Sequence, residues 1–152
     1  MSVRVQLPEP PAGVRETAPL YRAVLVDVNT VTALWSLPPA TVLAMIECGQ
    51  IRWAWDVSVH HGPRREIRVW LRELFDPLAA RILSARGVVE SVIGHATEPR
   101  LRATTLRRMI MVPPMTIHRL VEVESLRGDV AGGVLWITRA SLVEFLTQRL
   151  IL

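Results

Sequence analysis

The chain has 152 residues, half of them hydrophobic and 21% charged, a globular composition that excludes a disordered one. Its formal charge of +4 is carried by eighteen arginines with no lysine, so a nucleic-acid partner is permitted without being required. No uncharged apolar run reaches the roughly 18 residues that cross a bilayer. Cys48 is the only cysteine, so an intrachain disulfide is excluded, and a reducing, cytoplasmic setting is expected with Cys48 as a small buried hydrophobe.

In chain order, residues 1–15 hold three prolines and no hydrophobic core of signal-peptide type, and residues 1–20 read as a flexible arm. Asp27 or Asn29 then caps a helix with Val31, Leu34 and Trp35 on one face. Pro38 and Pro39 stop it, since proline lacks an amide donor and restricts the residue before it. Proline suits the first turn of a helix, so a second helix runs from Pro39 to Cys48, buries Val42, Met45 and Ile46, and ends at Gly49. A hairpin follows: Arg52–Val59, a tip at His60-His61-Gly62-Pro63-Arg64-Arg65, and Glu66–Trp70. A helix from Leu71 to about Ala85 carries Leu74, Phe75 and Leu78, and Gly87, Gly94 and Pro99 mark a linker over 87–101.

The remainder repeats the outline. Shifted by 75, Asn29–Ile51 overlays Thr104–Leu126 without a gap, with Thr30, Pro38, Pro39, Thr41 and Glu47 meeting identical residues and the apolar positions preserved. Leu106, Met109 and Ile110 line one helix, Pro113 and Pro114 make the turn, and Ile117, Leu120 and Val121 line the next. A shorter hairpin turns at Gly132-Gly133, and a last helix carries Leu142, Phe145, Leu146 and Leu150. The expected fold is therefore mainly α with small β-hairpin wings, a tandem winged helix-turn-helix. Its first repeat covers 21–86 and its second 102–152.

The string Thr41-Val42-x-x-Met45-Ile46-x-x-Gly49-x-Ile51, followed by a hairpin ending Ile67-x-Val69, resembles the excisionase and MerR-type DNA-binding family. So do Thr116-Ile117-His118-Arg119-Leu120-Val121 and the later Leu135-Trp136-Ile137-Thr138-Arg139-Ala140-Ser141-Leu142, with Phe145 and Leu146. The resemblance implies a sequence-dependent binder of double-stranded DNA. It would act as an excisionase or recombination directionality factor, or as a transcription regulator of a mobile element.

In such a unit the second helix reads the major groove. With Ile117, Leu120 and Val121 inward, Arg119 is the expected guanine contact, His118 and the Thr116 hydroxyl assist, and Arg107 and Arg108 meet phosphates. The first copy presents Ala40, Leu43, Ala44 and Glu47 instead, a face better suited to protein contact, while His60, His61, Arg64 and Arg65 form a basic hairpin tip that would follow the backbone. Trp35, Trp53, Trp55, Trp70 and Trp136 are expected in a core or interface rather than as stacking platforms. Two linked units docked on successive major grooves would lie about 34 Å apart.

No phosphate-cradling loop with lysine, zinc-ligand spacing or G-x-S-x-G elbow is present, so neither enzyme activity, cofactor nor metal is expected. The competing reading is a non-catalytic interaction module docking on a recombinase or regulator, with Leu150-Ile151-Leu152 extending a homo-oligomer contact. Salt-dependent duplex binding separates the two.

Overall fold

The computed structural model describes residues 23–60, 62–94 and 98–151. The expected N-terminal arm lies outside them. The chain starts in strand β1 (Leu25–Asp27), whose last residue caps helix α1 (Val28–Trp35) by accepting at Oδ1 from Thr30 N, 2.8 Å away. Ser36 leaves the helix in the left-handed region, the two prolines follow, and helix α2 (Pro39–Glu47) starts on the second of them. Strands β2 (Ala54–Asp56) and β3 (Ile67–Trp70) form the first hairpin. Then come three helices: α3 (Leu71–Phe75), α4 (Pro77–Arg81) and α5 (Ala85–Ile93). The second copy begins at strand β4 (Arg100–Arg102). It continues through helices α6 (Ala103–Met109) and α7 (Pro114–Glu122), strands β5 (Gly128–Ala131) and β6 (Val134–Thr138), helix α8 (Arg139–Arg149) and strand β7 (Leu150–Ile151).

The offset of 75 holds at the level of individual backbone groups. Helices α2 and α7 have the same bounds after the shift, and Thr41 and Thr116 each donate to the first proline of their pair over 3.0 Å. Ser36 and Met111 share a positive φ, of 53° and 54°. Gly49 and Glu124 do likewise, at 79° and 62°, so the second copy holds a glutamate where the first uses glycine to turn after its helix. Strand order agrees too: β1-β3-β2 in the first sheet, β4-β6-β5 in the second.

The expected fold class is nevertheless corrected. Of the described residues, 50% are helical and 19% lie in strands, which form two antiparallel sheets. This is an α/β mixture, and each copy is opened by a strand that the tandem winged helix-turn-helix outline did not contain. Nor do the copies stand apart. Strand β7, from the C-terminal end, pairs with β2 and completes the first sheet as β1-β3-β2-β7. Leu150 and Ile151, expected to be free for an oligomer contact, are thus used inside the chain.

The reason is legible in the alternation of the first sheet. Val26, Val69 and Ala54 point to one face and join Val31, Leu34, Val42, Met45 and Ile51 in a core built mainly by the first copy, with Met111 and Ile151 of the second packed against it. Leu25, Trp70, Trp53 and Trp55 point to the other face and join Leu106, Ile117, Leu120, Ile137, Leu142, Phe145 and Leu146 of the second copy. Both faces are therefore apolar, and a small sheet apolar on both faces must be covered twice. Helices α1 and α2 cover one side and the second copy covers the other. Three of the expected core tryptophans are the residues of this junction.

Polar groups secure the same seam. Trp55 Nε1 donates to Leu146 O at 2.9 Å, Val24 N donates to Met109 O at 2.8 Å, and the buried Arg68 guanidinium donates to Ile110 O and Met111 O. The stretch read as a linker holds most of α5, whose Val88, Val89, Val92 and Ile93 enter the shared core. The helix expected over 71–85 breaks at Asp76, because Pro77 offers no amide and drives Asp76 to an extended φ of −140°. Cys48 is exposed rather than buried, since it caps the end of α2 beyond the face defined by Val42 and Met45. Buried Glu73, 4% exposed, accepts from the amides of Arg52 and Trp53 and ties α3 to the approach to β2; burial pushes its carboxyl above the ordinary range.

Gly128 gives one direct test of the second sheet. A β-carbon there would stand 2.3 Å from Trp136 O and 2.9 Å from Ile137 Cδ1, so backbone must move. Gly128→Ala is expected to cost about 2 kcal/mol by overpacking, read from chemical denaturation. Unchanged stability would mean that β5 does not lie this close to β6.

Candidate nucleic-acid interface

Helix α7 is held by its inner face and open on its outer one. Ile117 and Leu120 are fully buried, whereas Met115, His118, Arg119 and Glu122 face solvent. Arg119 and His118 therefore stand where the sequence pattern put them. Thr116 does not: it is 8% exposed, turned inward one helical turn before Leu120, so its hydroxyl is not on the outer face. On α6, Arg108 is exposed and Arg107 half-buried. Among the described residues, the side chains of Arg107, Arg108 and Arg119 form no hydrogen bond or ion pair, unlike Arg86 and Arg127, which meet Glu90 and Glu144 at 3.2 and 3.1 Å. The α6–α7 pair thus presents unneutralised cations.

The first copy offers nothing equivalent. Ala40, Leu43, Ala44 and Glu47 occupy the outward positions of α2, and the position of Arg119 is taken by Ala44. Its hairpin tip does carry His60, Arg64 and Arg65 in solvent; His61 lies outside the described residues. Arg65 opens onto a cleft of about 620 Å³ that also involves Asp56, Gln148 and Arg149, so the tip and the end of α8 share one polar wall. Burial works to raise the Asp56 carboxyl. Hydrogen bonds from Ser58 Oγ, Ser58 N and Glu66 N outweigh it, with Arg149 assisting, and leave the group below the ordinary carboxylate range. Asp56 is consequently an anion that organises the base of the loop. The hairpin tip and α7 belong to different copies, and no hydrogen bond or ion pair joins them among the described residues.

The sequence reading missed the outer face of the second sheet. Leu101 and Ile137 turn to the core, so Arg100, Arg102, Trp136 and Asp129 project from the opposite side. The signal was present as the alternation Arg100-Leu101-Arg102. Three residues are too few to register as a strand until their partner β6 is known.

No group of three or more His, Cys, Asp or Glu side chains is arranged to hold a metal ion among the described residues, and no helix there is long and apolar enough to cross a membrane. Comparison of the chain with protein-family models, with curated proteins and with solved structures finds no match.

Proposed function

We propose that this chain binds double-stranded DNA, with α7 entering the major groove, Arg119 meeting a base edge, His118 beside it, and Arg107 and Arg108 on the phosphates. The single observation that carries the reading is the set of arginines on α6 and α7 that have no hydrogen-bond or ion-pair partner among the described residues, with the opposite side of α7 fixed in the core. The first copy supports and orients the second rather than reading DNA itself, since its α2 lacks a donor at the equivalent positions. Excision and transcription control on a mobile element, the settings implied by the excisionase and MerR-type resemblance, are two uses of this one contact.

Arg119→Ala is expected to weaken duplex binding by about 1–3 kcal/mol, tenfold or more, and to reduce discrimination between sequences. Anisotropy titrations at several salt concentrations read both quantities. Absence of binding by the native chain at low salt would sink the proposal, as would an Arg119→Ala protein of undiminished affinity.

A protein partner is favoured by a separate observation. Phe75, Leu78 and Ile82 are 53, 72 and 85% exposed along α3, α4 and the turn beyond, far more than Leu74 and Ala80 of these helices. With Glu73 buried, the exposed charges of the same segment are Arg72, Arg81 and Arg86 against Asp76 and Glu90, so the complementary surface is an amphipathic helix flanked by acidic residues; a second copy would oppose like charges. A synthetic helix with glutamates beside a leucine stripe should bind the native chain and lose at least tenfold in affinity for Ile82→Glu. Equal affinity for both chains would remove this reading.

A further inference from the structure

We propose that the outer face of the second sheet is a further contact for the phosphodiester backbone, in which Arg102 is the free cation and Asp129 restrains Arg100. The inference rests on the duplex-binding reading and extends it from helix α7 to the sheet.

The two sheets carry the same rows at the same register. In the first, Asp27, Arg68 and Trp55 lie opposite one another; in the second, Arg102, Trp136 and Asp129 do. Directly opposed residues of an antiparallel sheet share a face. In the first sheet that face is covered by the second copy, through Trp55 and Arg68. In the second it is open, with Arg102 and Asp129 exposed and Trp136 half-exposed. One face of this repeated unit thus binds something in one copy and stands free in the other.

Its chemistry says what it would bind. The guanidinium carbons of Arg100 and Arg102 lie 5.5 and 5.3 Å from the centroid of the Trp136 ring. Stacking against an indole holds an arginine while leaving its N–H edges free, and a planar fork of donors matches phosphate oxygens. Arg100 reaches across to Asp129 at 3.8 Å, an exposed pair 48 and 65% accessible, which contributes little and is readily exchanged. Arg102 has no hydrogen bond or ion pair among the described residues. Two cations gathered on one ring with a single weak counter-charge favour an anion. The ring itself is occupied by guanidinium, so a backbone phosphate fits better than a stacked base. Because two side chains are already immobilised, binding costs less side-chain entropy than it would for free arginines. Arg102 is also the N-cap residue of α6, so this face continues without a loop into the helix bearing Arg107 and Arg108.

The test is the salt dependence of duplex binding by the full chain and its variants. Each phosphate contact contributes about 0.9 to the slope of log affinity against log salt. Arg102→Ala should lower the slope by about one and weaken all duplexes by a similar factor, whereas Arg102→Lys keeps most of the slope. Asp129→Asn should act oppositely, strengthening binding several-fold by releasing Arg100. Glu90→Gln frees Arg86 elsewhere and changes net charge equally, so equal gains from Asp129→Asn and Glu90→Gln would overturn the proposal. So would an Arg102→Ala protein with native slope and affinity. Self-association that Arg102→Ala abolishes in sedimentation would also overturn it, by assigning the face to a second copy. If Arg119→Ala weakens binding and Arg102→Ala does not, only the sheet contact fails; if the native chain binds no duplex, both readings fail together.

Discussion

Trp55→Ala is expected to destabilise the whole chain by about 3–5 kcal/mol and to do so in one transition. Trp55 is fully buried in the core that both copies share, and its indole N–H donates to the Leu146 carbonyl of α8. Truncation leaves a large cavity between the first sheet and the second copy, where collapse would require the two to move together. Against a total stability of about 5–15 kcal/mol this is a major loss, and in a chain of this size it corresponds to a fall in Tm of about 10 °C. Trp55→Phe retains most of the packing and gives up the hydrogen bond, for a loss nearer 1 kcal/mol. Denaturation followed by circular dichroism and by tryptophan fluorescence reads the effect. Two separated transitions, or a substitution that melts only the first copy, would show that the copies fold independently.

The repeat was legible because identity and apolar spacing coincide over Asn29–Ile51 and Thr104–Leu126, and the paired prolines mark both turns physically. Helices α2 and α7 consequently fall where the pattern put them, with Arg119 outward. What escaped is what short elements and long-range pairing determine. Leu25–Asp27, Arg100–Arg102 and Leu150–Ile151 are two or three residues long, and period-two alternation cannot be read from so few positions. Each is a strand only because β3, β6 or β2 lies beside it. The joining of the copies was likewise hidden. Trp53 and Trp55 announced a buried face, but nothing local says whether a partner sheet, another chain or a second copy buries it. At the candidate interface the arginines were legible and their surroundings were not. That Thr116 turns inward and that Arg102 stands on Trp136 follow from packing and register, which composition does not carry.

Arg68 is where this long-range determination is most exposed to experiment. It comes from β3 of the first copy and is only 8% exposed, yet its Nε and Nη2 donate to Ile110 O and Met111 O at 3.0 and 2.8 Å, and its Nη1 to Ile67 O at 3.0 Å. Helix α6 ends at those carbonyls, which have no amide left to meet within the helix. The guanidinium supplies the donors, and its charge faces the negative end of the helix. Burial lowers its pKa, while the carboxylates of Asp27 and Glu66 oppose that shift, and an arginine remains charged throughout. Arg68→Ala would strand two carbonyls and remove a packed side chain, for an expected loss of about 3 kcal/mol. Arg68→Lys should recover part of this, since an ammonium offers a point of donors rather than a fork. The loss should be felt locally as well. Amides of Val112, Met115 and Thr116, in the turn that aims α7, are expected to exchange faster with solvent, and, if the proposed duplex contact holds, duplex affinity to fall although Arg68 is buried away from the outer face of α7. An Arg68→Ala protein with native stability and native exchange in that turn would mean that the second copy sets the angle of α7 by itself.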